Sequence, residues 1–464
     1  MSHMVVTLYH FAVTTATIFE AMENPISRRS FLLTTGVVGS VAAVAPQSLA
    51  SRASPGPAPA AAPLLNRERA TELMRRVGMD ALLVSAPMNV YYVTGATPVM
   101  SRFTQINMTA ALLPADLKRS IAYLGGGFEF YAGVADAGLN PGVEPYLTGG
   151  SLGDADSRSS PAFPRAGTYQ FDAREQRRRA LLEQAAPFHE GISSALRKAL
   201  RDRSLASGSI GFDTADAKAL LGMAGFRANL RPADDFMLQV RLVKTAAELE
   251  LMRKASLNNV DAALVTAKAA RDEGTLRRIR QRFFEEAARR GNVGVYGNVD
   301  LVMDERLDGT LREGQTFMID FVSHYGFYQG DYGRTVFFGD PDPQMRKATD
   351  VGIAAWAEIE SRLRPGVRFS EIRRIGNDTV KKLGADFTYA FNPHTVGLQH
   401  WDQPRLSPEG QAVDLALEEG MILSVDCPLL NAGVNGTTHL EDLVLITATG
   451  SEPLHRQGDH IIVV

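Results

Sequence analysis

The spacing of apolar residues changes repeatedly along this chain, and those changes predict its elements. Between Arg67 and Gly78 the apolar positions are Ala70, Leu73, Met74 and Val77, a helical period that ends at a glycine suited to a C-cap. Asp80-Ala-Leu-Leu-Val follows as a short unbroken run, the mark of a buried strand. Helical and strand-like stretches then alternate to about residue 235, as in an α/β domain. Thr245 stands three residues before Glu248, a capping box that opens an amphipathic helix with Leu249, Met252 and Leu257 facing the core. Helices predicted over Ala246–Asp272 and Thr275–Arg290 lead into two strand-like runs. The first, Phe317-Met318-Ile319, closes at Asp320; the second opens at Asp331, with Gly326 available for the turn between them. A second helix pair over Val351–Leu363 and Ser370–Leu383, with apolar runs at Met421–Val425 and after Glu441, repeats the arrangement. Two such units predict pseudo-two-fold symmetry in this half of the chain.

Composition narrows the class. At 464 residues, two or three domains are expected, and 45% apolar with 22% charged residues describes an ordinary globular protein. A net charge of −3 gives no reason to expect nucleic acid or an anionic membrane as partner. The single cysteine, Cys427, excludes an intrachain disulfide and a Cys-rich zinc site. Ser27-Arg28-Arg29-Ser30-Phe31-Leu32 resembles a twin-arginine (Tat) export motif. It precedes a Gly/Ala/Val-rich stretch shorter than the roughly 20 residues of a membrane span, with small residues suited to cleavage near Ala45 or Ala50. Residues 1–50 are therefore expected to be a signal region, with Met22 as the start, and residues 51–64 a Pro/Ala linker. A periplasmic or secreted protein without a stable membrane anchor after cleavage is the expectation. Residues 148–178 read as a surface insertion, and Arg177-Arg178-Arg179 as a solvated helix face.

The candidate chemistry lies in the second half. A hairpin would bring Asp320 and Asp331 to one spot at the end of a sheet, where each carboxylate raises the other's pKa unless a cation is present. The pair therefore marks a shared proton, a metal, or two solvated strand ends. His394 in Asn392-Pro-His-Thr-Val-Gly-Leu-Gln-His-Trp-Asp, Asp426 after Met421–Val425, and Glu441 at the head of the next run add three ligand types in order. Carboxylate oxygens with one imidazole suit Mn2+, Zn2+, Co2+ or Fe2+.

The order Asp-x10-Asp, His-x2-Gly-Leu, Asp-Cys-Pro, His-Leu-Glu-Asp resembles the M24 metallopeptidases of the pita-bread fold: prolidase, aminopeptidase P, methionine aminopeptidase and the non-peptidase creatinase. The stretch from Arg69 to Gly95 resembles the opening of their creatinase-type N-terminal domain, and Val240 to Ala255 the signature that opens the catalytic domain. The resemblance implies an α/β creatinase-like domain over residues 65–239. It places over residues 240–464 an α+β pita-bread domain with a curved, mainly antiparallel sheet. It also implies two divalent metal ions and a metal-activated hydroxide. Asp320 would bind one ion, Asp331 and Glu441 would bridge, and His394 and Asp426 would complete the second. Asp426 would shuttle the proton, His400 would hold the substrate carbonyl, and His439 would steer Glu441 or the substrate. Arg334 would be a structural ion-pair partner and His324 exposed. A homodimer acting on a small peptide or small-molecule substrate is implied.

Two departures qualify the substrate. Asp426 stands where the family carries glutamate, and no histidine lies between His189 and His324, where the family has one about 17 residues before its first metal aspartate. The leading expectation is an exported Xaa-Pro dipeptidase or aminopeptidase. The alternatives are a creatinase-like amidinohydrolase or lyase, and a catalytically inactive binding protein. Val322 and Met318, flanking Asp320, do not support the lyase chemistry that needs an extra aspartate there.

Overall fold

Asn66 opens the first described helix, its Oδ1 accepting the Arg69 N–H at 3.2 Å. The computed structural model describes residues 62–464 except 103–108, 150–171, 186–187, 228, 387, 405–411, 431–435 and 456–457. The expected signal region, most of the linker and most of the 148–178 insertion lie outside the described residues. Helix α1 (Arg67–Arg76) leads to β1 (Ala81–Val84), α2 (Pro87–Thr94), β2 (Ala110–Pro114), β3 (Ile121–Gly126), α3 (Gly127–Gly133) and β4 (Val143–Thr148). Then come α4 (Ala173–Ala185), α5 (Ile192–Asp202), β5 (Ile210–Phe212), α6 (Ala215–Met223), β6 (Leu230–Pro232) and α7 (Phe236–Arg241). The strands form one mixed sheet ordered β4-β3-β2-β1-β5-β6. Because strand side chains alternate, Leu82 and Val84 of β1 pack with α1, α2 and α7, whereas Ala81 and Leu83 pack with α5 and α6. Burial of both faces is why β1 reads as an unbroken apolar run.

The second half begins at the predicted capping box. Thr245 Oγ1 accepts the Glu248 N–H at 3.2 Å and Glu248 Oε2 accepts the Thr245 N–H at 2.8 Å, opening α8 (Ala246–Lys268). Met252 is buried and Leu249 partly so, but Leu257 is exposed, contrary to the sequence expectation. Five residues beyond Met252, it has turned about 140° away from the packed stripe. Short α9 (Ala270–Glu273) and α10 (Leu276–Arg289) follow, then β7 (Val293–Val299), β8 (Thr316–Tyr325) and β9 (Tyr328–Phe337). Next come α11 (Pro343–Glu360), which starts eight residues earlier than its periodicity indicates, α12 (Phe369–Lys382) and β10 (Asn392–Thr395). The chain closes with β11 (Ile422–Asp426), β12 (Val444–Ile446), β13 (Ser451–Pro453) and β14 (Ile461–Val463).

These strands make two four-stranded sheets, β14-β9-β8-β7 and β10-β11-β12-β13. A residue pair with reciprocal backbone hydrogen bonds, Gly333 and Glu441, links them at 3.1 and 3.2 Å. Helices α8 and α10 cover the first sheet through Ala263, Ile279 and Phe283, and α11 and α12 cover the second through Trp356, Ile372 and Ile375. The β8–β9 hairpin is longer than the sequence indicated. Its two-residue turn has positive φ at both Gly326 (55°) and Phe327 (69°), so the strands run unbroken to the tip. Asp320 and Asp331 consequently lie in mid-strand, not at the end of the sheet. Among the described residues, no helix is long and apolar enough to cross a membrane.

Candidate metal centre

Register places the two aspartates together. Asp320 pairs with Gly333 and Asp331 with Val322, so the carboxylates share one face a diagonal step apart. From the second sheet, β10 and β11 pair with His394 opposite Ser424 and Asn392 opposite Asp426. Glu441 enters through its bridge to Gly333, and His439 two residues earlier turns to the same side. Three overlapping groups result: Asp320, His439 and Glu441; His394, Asp426 and Glu441; and Asp331, His394 and His400, with donor atoms in each group within 4.8 Å of one another. Thus all seven residues singled out in the sequence converge on one place.

Glu441 is the hub. Its Oε1 accepts from Ser424 Oγ at 2.5 Å and lies 3.3 Å from His394 Nε2, while Oε2 lies 3.1 Å from His439 Nε2. Asp426 Oδ2 accepts from Asn392 Nδ2 at 3.0 Å and stands 3.7 Å from His394 Nε2. Behind Glu441, the buried Arg334 pairs with Asp442 at 2.7 Å and donates to the Glu441 carbonyl at 2.9 Å, the ion-pair role expected of it. Asp331, Glu441, His394 and His439 are enclosed, whereas the His400 and Asp426 side chains are 25% and 21% exposed and mark the mouth. Four rings line this side: Tyr296 and His400 have centroids 5.4 Å apart, His400 and His394 4.8 Å, and His394 and Trp401 5.7 Å.

The electrostatics favour a cation at this place. Burial, then the neighbouring Glu441 carboxylate, raises the Asp320 carboxyl to about 7 and pushes that of Asp331 well above its usual range. Burial disfavours charge on His394, but Asp426 and Glu441 outweigh it and raise the imidazolium to about 10. Both oxygens of the fully buried Asp331 lack a hydrogen-bond partner; the nearby His400 Nδ1, at 3.3 Å, is not aligned to donate. A buried carboxylate without donors is costly unless a metal takes its lone pairs. Hard oxygens with imidazole nitrogens fit a divalent first-row ion.

Tyr296 escaped the sequence reading. Its hydroxyl donates to Asp320 Oδ1 at 3.1 Å and lies 3.4 Å from His400 Nε2. A register shift between Gly294 and Tyr296 inserts Val295 and sets Tyr296 opposite Val322, on the carboxylate face. Only the Gly/Val alternation of residues 293–299 hinted at a strand, and nothing in it foretold the bulge. Asn392 and Ser424 were missed similarly, because cross-strand pairing supplies their contacts. His324 lies at the hairpin tip, partly buried and stacked on Phe327 at 5.5 Å, away from the three groups.

Two linked sheets, each backed by a helix pair and together converging carboxylates and imidazoles, define a pita-bread domain with a candidate metal centre behind an α/β domain. Residues 238–448 match Metallopeptidase family M24, and residues 66–123 match the Creatinase/Prolidase N-terminal domain. The chain thus carries an M24-type metallopeptidase domain behind a creatinase-type N-terminal domain. It is 26% identical over 231 residues to an Xaa-Pro dipeptidase of Pyrococcus furiosus, an alignment spanning 48% of this chain and 65% of that relative. The fold matches X-Pro aminopeptidase from Thermotoga maritima with a TM-score of 0.60 at 18% identity, covering 86% of this chain and 99% of that one. It also matches the prolidase from Pyrococcus horikoshii with a TM-score of 0.58 at 19% identity, covering 85% and 99%.

Proposed function

We propose that this protein is a metal-dependent hydrolase of short peptides with proline after the scissile bond, an Xaa-Pro dipeptidase or aminopeptidase. The observation that carries the reading is Glu441 shared by two donor groups beside the unpartnered carboxylate of Asp331. Asp320, with Glu441 and His439 beside it, would hold one divalent ion. His394, Asp426 and Glu441 would hold a second, and Asp331 would serve both. Such ions supply Lewis acidity, activating water and polarising the carbonyl.

The side chains do the rest. The His394 Nδ1–H donates to the His400 carbonyl at 3.1 Å, which leaves Nε2 as the ligand nitrogen. Tyr296 orients Asp320. Asp426, held by Asn392 at the mouth, accepts the proton released on attack and returns it to the leaving amine. His400, also at the mouth, faces the substrate carbonyl, with the Tyr296 hydroxyl beside it. The twin-arginine motif at residues 27–32 supports export by the Tat route, which carries proteins already folded.

A small non-peptide substrate is favoured by one observation. The segment where the family places its additional histidine presents exposed Met303 and Leu307 instead. Elemental analysis of the purified protein, with Xaa-Pro dipeptide and tripeptide hydrolysis after Mn2+, Co2+ or Zn2+ loading, separates the readings. Two metals per chain and proline-dependent cleavage lost in Asp331→Ala establish the peptidase. Bound metal without peptide cleavage transfers the assignment to small-molecule C–N chemistry, and no bound metal overturns both.

A further inference from the structure

The loop of residues 396–404 carries His400 and touches the ligand His394, yet its own anchor lies outside the metal centre. Asp402 folds back within the loop: its Oδ2 accepts the Leu398 N–H at 3.3 Å, its N–H donates to the Thr395 carbonyl at 2.9 Å, and its carbonyl accepts from Thr395 Oγ1 at 2.8 Å. Gly397 permits this closure, because a Cβ there would meet Asp402 Oδ2 at 2.3 Å and Lys244 Cε at 3.3 Å. The other carboxylate oxygen, Oδ1, accepts from Arg241 Nε at 3.0 Å and Nη2 at 2.7 Å. Arg241 and Asp402 are 2% and 1% exposed.

Arg241 ends α7, at the joint between the two halves of the chain. Its remaining Nη1 donates to Asn89 Oδ1 in the first turn of α2. Asn89 Nδ2 donates in turn to Asp213 Oδ2 at 2.8 Å, and Asp213 accepts the N–H groups of Ser85 and Ala86 at 2.8 and 3.1 Å. A continuous buried chain of hydrogen bonds therefore runs from the end of β1 in the N-terminal domain to the loop that holds His400.

A buried ion pair is weak evidence for stability, since apolar residues of similar volume serve as well. Its geometric consequence is more specific. The carbonyl of His400 is the acceptor that sets the tautomer of His394, so a shift of this loop moves a ligand and a mouth residue together. We propose that Arg241 is a positioning residue for the metal centre: acting through Asp402 and anchored by Asn89, it sets His394 and His400 and makes the N-terminal domain part of the metal site. The inference rests on the metal-centre reading above.

The test is Co2+ titration of the full chain, followed by visible absorption, for wild type, Arg241→Met, Asp402→Asn and Arg203→Met. Arg203 is a comparably buried arginine in the N-terminal domain, far along the chain from the loop; it donates to the Tyr146 hydroxyl and pairs with the exposed Glu144, and controls for loss of a buried arginine. Arg241→Met and Asp402→Asn are expected to weaken Co2+ affinity by about 10- to 100-fold and to alter the absorption bands, the size seen when the partner of a ligand is lost. Arg203→Met should keep both, whatever its melting temperature. If Arg241→Met does not fold, the near-isosteric Asp402→Asn decides alone. Wild-type affinity and spectrum in the folded variants overturn the proposal while leaving the metal centre intact. A wild-type chain that binds no Co2+ overturns both.

Discussion

Gly333 leaves the space that the His439 ring occupies: a Cβ at Gly333 would lie 2.1 Å from His439 Cδ2 and 2.4 Å from its Nε2. The residue is caught between the two sheets, since Asp320 pairs with it on one side and Glu441 on the other. Gly333→Ala is therefore expected to displace His439 and Glu441 together. Overpacking of this kind costs about 1–3 kcal/mol in folding. Metal uptake should fall by more than that cost explains, as measured by metal content in protein that remains folded at 20 °C (about room temperature). Full metal content in Gly333→Ala would show that the ring can move aside freely.

Asp331 makes the apo protein and the loaded protein respond oppositely. Without metal its buried carboxyl has no donor and is pushed well above its ordinary range by burial and by Glu441. Asp331→Asn removes that conflict, so the metal-free variant should melt at or above the wild-type temperature. Addition of Mn2+ should raise the melting point of wild type, about 2.7 kcal/mol of stabilisation at 100 times Kd, and leave the variant unmoved. Differential scanning calorimetry with and without Mn2+ checks both signs.

Tyr296 donates to Asp320, and its hydroxyl is half of the contact with His400. Removing a hydrogen bond to a charged group costs about 1.5–3 kcal/mol. Tyr296→Phe should therefore lower kcat/KM for the Xaa-Pro substrate by roughly ten- to a hundredfold, with far-UV circular dichroism unchanged. Unchanged kinetics would remove Tyr296 from the site.

Glu248 gives the fold a pH dependence remote from the metal. Burial raises its carboxyl from 4.5 to about 7 against the pull of Lys244, the Thr245 N–H and the Tyr328 hydroxyl, with Asp402 adding to the rise. The folded state thus binds the proton more tightly than the unfolded chain. The associated stabilisation is complete below pH 4.5, declines as pH rises, and is lost above about 7. Urea unfolding of the metal-free protein between pH 5 and 8 should show wild type losing up to about 3 kcal/mol relative to Glu248→Gln. Parallel curves for the two proteins would contradict this.

Much of the site was legible because its chemistry is concentrated in residue type and order. Asp320, Asp331, His394, Asp426 and Glu441 stand beside apolar runs, and Thr245 with Glu248 marks a helix start through contacts three residues apart. Local signals of this kind are fixed by the neighbouring chain, so the sequence by itself determined the helix pairs, the strand runs and the candidate ligands. What needed the tertiary structure depends on register and on distant partners. The two-residue turn at Gly326 and Phe327 lengthens the hairpin and carries both aspartates into mid-strand. The bulge at Val295 decides which face Tyr296 takes, and the Gly333–Glu441 pairing decides that two sheets share one centre. Arg241 meets Asp402 across 161 positions of sequence. Such contacts are set by how separate elements pack, and a one-residue change of register would turn each of these side chains away.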